Sequence, residues 1–194
     1  MWATRDTNTF AAWTYCVAVS SNYAYAANYN DGLLIYNVSD PTNPINVGHI
    51  TNAPPGGLVD HVTISGHYVY LAGPTYGLRI YDISNPANPV FVSHTYGAGT
   101  MRSLEVSNNY LYAASGGDGL RIYDISNPAN PTNIGYATNG SYAEGVTVSG
   151  SYVYLANGYD GLRVYDVSNP NNPIDSSHIF EGGAAWHVAV ASNY

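Results

Sequence analysis

Basic residues are scarce in this sequence. The 194 residues include no lysine, and all five basic residues are arginine. The formal net charge is −8, although only 9% of the residues are charged. Proteins bind nucleic acids largely by neutralising phosphates with Lys and Arg, so this composition argues against a nucleic-acid partner. Binding to anionic membrane surfaces is disfavoured for the same reason.

Cysteines and long apolar runs are also nearly absent. Cys16 is the only cysteine, which excludes an intrachain disulfide and a cysteine-based metal cluster; we expect a small buried apolar residue. No apolar run approaches the ~18–20 residues of a membrane span, so we expect no membrane insertion. No segment has helical periodicity of useful length. Apolar residues nevertheless make up 45% of the chain, which is enough for a packed core.

The chain consists of copies of one unit. GLRIYDISNPANP occurs at 77–89 and again at 119–131, with close variants at 32–44 (GLLIYNVSDPTNP) and 161–173 (GLRVYDVSNPNNP). The first glycines of these strings are separated by 45, 42 and 42 residues. The final VAVASNY repeats an earlier part of the unit, so we expect 187–194 to open a fifth copy. A repeat of this length decides the architecture.

Each unit reads as four short strands. An alternating apolar strand such as VTIS (62–65) precedes a Tyr-rich strand such as YVYLA (68–72). The motif strand ends at Asn-Pro-x-Asn-Pro because Pro cannot donate to a ladder, and the fourth strand is polar enough for an outer edge. Three units turn into the motif through Asp-Gly, which accepts positive φ, whereas the second has Tyr76-Gly77 and needs a different turn.

Four antiparallel strands in about 42 residues are typical of a β-propeller blade. Solenoid coils are usually shorter or helical, and sandwiches do not repeat their sequence at constant spacing. We therefore predict an all-β fold, a β-propeller of four-stranded antiparallel blades in a single repeat domain over 1–194. The four blades lie approximately at 16–50, 61–95, 103–137 and 145–180, and 187–194 supplies one extra strand.

The motif strings resemble the LVIVD repeat, whose core reads roughly LxIxDVSDPxxP. The resemblance covers all four units, with Ile-Tyr-Asp in place of Val-Ile-Asp at the centre. It implies a β-propeller of the kind found in bacterial and archaeal secreted or surface-attached proteins, and it implies no catalytic residues. A Tyr/Asn/Ser-rich surface also suits an extracellular or cell-surface protein.

An acidic residue recurs in the motif as Asp82, Asp124 and Asp166, with Asn37 in the first unit, and it matches the Asp of the LVIVD repeat. We expect the side chain to cap the following turn through an Asx-type hydrogen bond. The alternative, a metal ligand, is weak because residues on separate blades cannot converge on one ion.

A candidate site lies where the units differ most. The segment between the fourth strand and the next first strand is the only one whose length changes, and it carries the least similar residues. In propellers it leads into the innermost strand, so its side chains should gather at the mouth of the central channel. A constant framework with variable loops is typical of a scaffold that carries a site. We predict a ligand or partner surface there, formed by Tyr15, Asp60, His61, Arg102, Glu144, Trp186 and His187.

The alternative for this region is loop drift without a ligand, with Asp60, Arg102 and Glu144 pairing with one another. His49, His94 and His178 share one position, but neighbouring blades set such positions about 10 Å apart, too far for a shared ion. We expect these three histidines to be strand-packing or edge residues. His61 and His187 could share a metal only across a small ring. Asn-rich turns such as NYNDG resemble Ca²⁺ loops faintly and lack the distal Glu. We expect no metal and no cofactor.

Catalytic motifs are missing from the sequence: it has no Gly-rich phosphate loop, His-Glu-x-x-His or nucleophile elbow. We therefore expect a non-enzymatic scaffold or binding module. The rival hypothesis is a lectin-like or enzymatic propeller with a small-molecule site at the channel mouth. Tyr-rich surfaces suit protein or glycan contacts.

Four blades and one strand leave two blade faces without a neighbour. If each face exposes roughly 400 Å² of apolar surface, the cost is on the order of 10 kcal/mol per face. Three arrangements would cover these faces: further repeats of a longer chain, two chains closing one eight-bladed ring, or arcs joined end to end. Residues 1–15 are a further candidate for completing the first end. We therefore expect self-association or further repeats as partners.

Overall fold

The computed structural model describes residues 13–51, 58–75, 77–96, 99–138, 140–180 and 182–191. Within these ranges there is no helix, and sixteen strands form four antiparallel sheets, each with its strands in chain order. The first strands of consecutive sheets pack side by side, so they line the centre, and the fourth strands are outermost. The predicted all-β propeller of four-stranded blades is therefore confirmed.

The strands follow one another without interruption by other elements. Blade 1 contains β1 (Cys16–Ser20), β2 (Tyr23–Ala27), β3 (Leu33–Asn37) and β4 (Ile45–Ile50). Blade 2 contains β5 (His61–Ser65), β6 (Tyr68–Gly73), β7 (Gly77–Asp82) and β8 (Val90–Thr95). Blade 3 contains β9 (Ser103–Ser107), β10 (Tyr110–Ala114), β11 (Leu120–Asp124) and β12 (Thr132–Ala137). Blade 4 contains β13 (Gly145–Ser149), β14 (Tyr152–Ala156), β15 (Leu162–Asp166) and β16 (Ile174–Ile179).

The turns form as the repeated motif predicts. The motif glycines have φ between 75° and 84°, including Gly77 of the second unit, whose neighbour Tyr76 lies outside the described residues. Asp82 Oδ1 accepts a hydrogen bond of 2.7 Å from the backbone N–H of Ser84. The same Asx-type bond, at 2.8–2.9 Å, is made by Asn37, Asp124 and Asp166. The capping role of these side chains is therefore confirmed.

Apolar cores lie between the blades, because each sheet is apolar on both faces. One core joins blades 1 and 2, a second joins blades 2 and 3, and a third joins blades 3 and 4. Polar contacts near the centre reinforce these cores. The half-buried Cys16 thiol donates to the Val62 carbonyl at 3.6 Å, and the N–H of Leu104 donates to His61 Nδ1 at 3.3 Å. Each blade is thus held by the blade that follows it.

Residues 186–191 take part in no sheet, in contrast to the expected opening strand of a fifth unit. The only ladder contact near this segment is the isolated bridge between Gly158 and Ala185. In every complete blade the first strand pairs with the second strand of its own hairpin. The rest of the expected fifth-unit strand, 192–194, lies outside the described residues. So do residues 1–12, which were a candidate for completing the first end. No helix in the described ranges is long and apolar enough to cross a membrane.

Candidate functional site

One backbone hydrogen bond, repeated in each blade, places the side chains at the channel mouth. The residue just before each first strand donates its N–H to the carbonyl of the last paired residue in the second strand, at 2.8–3.0 Å. Equivalent positions in a repeat therefore converge around the centre. The donors are Tyr15, Asp60, Arg102 and Glu144.

These residues line one cavity of about 190 Å³. Trp186 and His187 close it from the last described segment, where they pack against Gly145 of β13. All seven residues predicted for the mouth line this cavity, together with one that the sequence analysis did not single out: Tyr15, Tyr29, Asp60, His61, Arg102, Glu144, Trp186 and His187.

Tyr29 is the cavity residue that the sequence analysis missed. It has φ +34°, a conformation that non-glycine residues rarely adopt, and it forms an isolated bridge with Val59. Gly116 and Gly158 form the same bridge in blades 3 and 4. A tyrosine where two other units have glycine is a signal that alignment of the units could have revealed. Strained non-glycine residues are often found at functional sites.

The charged residues of the cavity pair with one another. Arg102 Nη1 lies 3.1 Å from Asp60 Oδ2, and Arg102 Nε lies 3.9 Å from Glu144 Oε2. Burial raises the pKa of Asp60, and Arg102 partly offsets this effect. Asp60 is only 8% exposed, and its Oδ1 has no hydrogen-bond partner among the described residues. The cavity is therefore lined by a carboxylate with one buried, unsatisfied oxygen, and its three charges sum to −1 when histidine is neutral.

His61 is held neutral at the edge of the cavity. Burial, together with the neighbouring His187, lowers the pKa of His61 to about 4. Its Nδ1 already accepts the N–H of Leu104, so this atom serves the contact between blades 2 and 3. The imidazole of His61 is therefore neutral near pH 7, and one of its two ring nitrogens is already used in a hydrogen bond.

The histidines of the outer strands contact their own blades. Nε2 of His49 and Nε2 of His178 each lie 2.6 Å from a backbone carbonyl oxygen, that of Asp31 and that of Asp160 respectively. The His94 ring packs edge-on against Tyr96 with centroids 4.3 Å apart. These contacts agree with the predicted packing role. Nowhere in the described ranges do three His, Cys, Asp or Glu side chains form a group that could hold a metal ion.

The first blade has an uncovered face. We call the face toward the preceding blade the leading flank and the face toward the following blade the trailing flank. On the leading flank of blade 1, Val17 and Val19 are 55% and 66% exposed. The counterparts of Val17 are at most 5% exposed: Val62, Leu104 and Val146. Among the residues that the structure describes, the leading flank of blade 1 therefore lacks the cover that the other three blades have.

The trailing flank of blade 4 is uncovered in the same way. Tyr154 and Val164 are half-buried, and Ser177 is exposed. Their counterparts in blades 1–3 are all buried: Tyr25, Tyr70 and Tyr112; Ile35, Ile80 and Ile122; Gly48, Ser93 and Gly135. Two apolar flanks, one at each end of the arc, thus face solvent.

Comparison with known families agrees with the repeat and the fold. The model of the LVIVD repeat matches four segments: residues 14–52, 56–95, 98–138 and 140–178. The chain belongs to the LVIVD-repeat family. This membership confirms the resemblance noted from the motif strings. Each matched segment spans one blade, apart from the last residue of β16, so one LVIVD repeat corresponds to one four-stranded sheet. No curated protein matches the chain.

Two solved structures of computationally designed proteins are similar to this LVIVD-repeat chain. The designed Ika8 protein superposes with a TM-score of 0.70 at 10% identity, over 93% of this chain and 53% of its own. The designed Ika4 protein superposes with a TM-score of 0.62 at 10% identity, over 83% of this chain and 95% of its own. The chain thus spans about half the length of Ika8. At this identity the similarity shows the fold alone.

Proposed function

We propose that this LVIVD-repeat chain is a non-enzymatic, extracellular β-propeller scaffold that completes its ring or assembles through its two uncovered flanks. The exposure of Val17 and Val19, whose counterparts are covered by a neighbouring blade, carries the proposal. Further repeats or other copies of the chain are the partners that present matching flanks. Covering an apolar flank stabilises the assembly by removing that surface from water.

The state of the polar residues at the mouth supports a non-enzymatic role. Asp60, Arg102 and Glu144 pair with one another, and His61 accepts a backbone hydrogen bond. The low content of charge and the abundance of Tyr, Asn and Ser support an extracellular location. The negative net charge supports a partner other than nucleic acid.

Light scattering after gel filtration tests the use of the flanks. We expect the wild-type chain to elute above the 20.7 kDa of one copy. Val17→Asp places a charge on the leading flank and should give a monomer. Val90→Asp is the matched control, because Val90 is 57% exposed on the outer strand β8 and lies on neither uncovered flank. A wild-type chain that is monomeric and stable at micromolar concentration would refute the proposal.

The cavity at the mouth favours a second candidate function, a lectin-like site for a small molecule. The observation that favours it is the buried Oδ1 of Asp60, an unpartnered acceptor beside the exposed aromatic Trp186. Aromatic faces and buried acceptors are the groups that bind a hydroxylated ring such as a sugar.

Binding to a panel of immobilised glycans tests this candidate. Alanine variants of Asp60, Arg102 and Trp186 should each weaken binding. Tyr136→Ala is the control, because Tyr136 is an exposed aromatic on the outer strand β12 and does not line the cavity. Binding that survives all three alanine variants would place the ligand elsewhere, and no binding of the wild type would remove the candidate.

A further inference from the structure

The two uncovered flanks are complementary to each other. Each trailing flank of blades 1–3 is covered by the leading flank of the next blade, and the three contacts are built from equivalent residues. Blade 4 presents the fourth copy of the trailing flank, and blade 1 presents the remaining copy of the leading flank. We propose that a second copy of this chain docks its blade 1 on blade 4 of the first, in a head-to-tail contact.

A polar contact at the edge of the blades sets the register of this seam. In the contact between blades 2 and 3, Ser93 Oγ donates to the Pro128 carbonyl at 2.6 Å. The equivalent residue of blade 4 is Ser177, which has the same hydroxyl and is exposed. The proline of blade 1 equivalent to Pro128 is Pro41. At the seam Ser177 therefore donates to the carbonyl of Pro41 in the second copy.

The burial of this proline points to the same seam. In blades 2, 3 and 4 the preceding blade half-covers the proline, which is Pro86, Pro128 or Pro170. Pro41 alone of the four is exposed. Pro41 lies at the same end of the arc as Val17. One partner could therefore cover Val17 and donate a hydrogen bond to the Pro41 carbonyl.

The apolar side of the seam follows from the contact between blades 2 and 3. There, Tyr70 and Ile80 of the trailing flank share one core with Leu104 of the leading flank. The equivalent residues at the seam are Tyr154, Val164 and Val17. None of them is charged, so closing the seam buries no unpaired charge.

The leading flank of blade 1 differs from the others in composition. Leu34 occupies the place of an arginine in the other three blades: Arg79, Arg121 and Arg163. Arg163 there is paired with Asp160 and Asp175. Leu34 removes a charge from this flank, although it is only 8% exposed, and Ala24 and Ala26 stand where blade 2 has the larger Val69 and Leu71.

Because blade 1 of one copy meets blade 4 of another, the contact is heterologous, and it forms a ring when the rotation closes. This inference rests on the proposed function, since it requires the flanks to assemble. It adds that the partner is a second copy of the chain, that the contact is head to tail, and that Ser177 meets Pro41. Mixing two variants separates these parts. Val17→Asp disables the leading flank and Val164→Asp disables the trailing flank, and each should be a monomer alone.

Mixed in equal amounts, the two variants should form a dimer of twice the 20.7 kDa of one chain, because one intact seam remains between them. Val90→Asp should associate as the wild type does. Circular dichroism and a thermal melt establish that both flank variants fold, and a flank variant that fails to fold is replaced by Val17→Ser or Val164→Ser in the same mixing experiment.

Each other outcome overturns the inference in a recognisable way. A Val164→Asp chain that still dimerises alone indicates a contact between two leading flanks, so the head-to-tail seam fails while assembly through flanks survives. A mixture that stays monomeric also refutes the seam. If both variants associate like the wild type, or the wild type is itself a monomer, assembly through the flanks fails as well.

Cross-linking tests the register in a background of Cys16→Ala. A chain with Ser177→Cys, mixed with a chain carrying Pro41→Cys, should give a covalent dimer with a short bis-maleimide reagent. Asn171→Cys, at an exposed turn of the same blade, is the control partner and should cross-link much less. Equal yields from Ser177→Cys and Asn171→Cys would refute the register.

Discussion

Replacing Gly135 by alanine tests whether close packing between blades 3 and 4 stabilises the fold. Gly135 lies in the outer strand β12, and a Cβ added there would stand 2.0 Å from the carbonyl oxygen of Pro170. Contacts of this kind are essentially never shorter than 3.0 Å, so the oxygen must retreat by about 1 Å. The obstructing atom is backbone, so blade 4 must move as a unit. Overpacking of this kind costs about 2 to 3 kcal/mol.

A loss of this size should lower the melting temperature by about 5 to 10 °C and shift the urea midpoint with little change in slope. Gly117→Ala is the matched control, because its Cβ would meet nothing within 4 Å and its φ is not in the left-handed region. Gly135→Ser should lose about 1 kcal/mol less than Gly135→Ala, since it can donate to Pro170 as Ser93 donates to Pro128. If Gly135→Ala melts with the Gly117→Ala control, the packing argument is wrong.

Three further predictions concern single side chains. Ser93→Ala removes the bond to the Pro128 carbonyl and should cost about 1 to 2 kcal/mol in urea unfolding, and an unchanged midpoint would contradict this. The pKa of His61 is lowered to about 4, so its stabilising effect is present above pH 6.5 and is lost as the pH falls through 4. The wild type should lose about 3 kcal/mol more than His61→Asn between these pH values, and parallel pH profiles would count against the burial of a neutral imidazole. Asp82→Asn should melt like the wild type and Asp82→Ala below it, because Asn37 makes the same Asx bond in blade 1, whereas equal melting of the two variants would exclude a capping role.

The positions of the site residues at the mouth could be predicted because the repeat imposes symmetry. Tyr15, Asp60, Arg102 and Glu144 occupy one place in the unit, and equal units arranged around a centre bring equal places together. Their pairing was one of the two possibilities raised from the sequence. Tyr29 was missed because it lies in the second turn, one strand away from the variable segment.

Patterns within one unit were enough to predict the blades: where the strands begin and end, where the motif glycines turn, and which side chains cap the turns. These features depend on the alternation of apolar and polar residues and on hydrogen bonds within a few residues or between adjacent strands. The sequence of one unit is therefore enough to predict them. Features that depend on a neighbouring blade could be read only from the folded arrangement. The unpartnered oxygen of Asp60, the lowered pKa of His61 and the exposure of Val17 each depend on which surface stands opposite, and the facing residue of a neighbouring blade is distant in the chain, as Arg102 is 42 residues from Asp60.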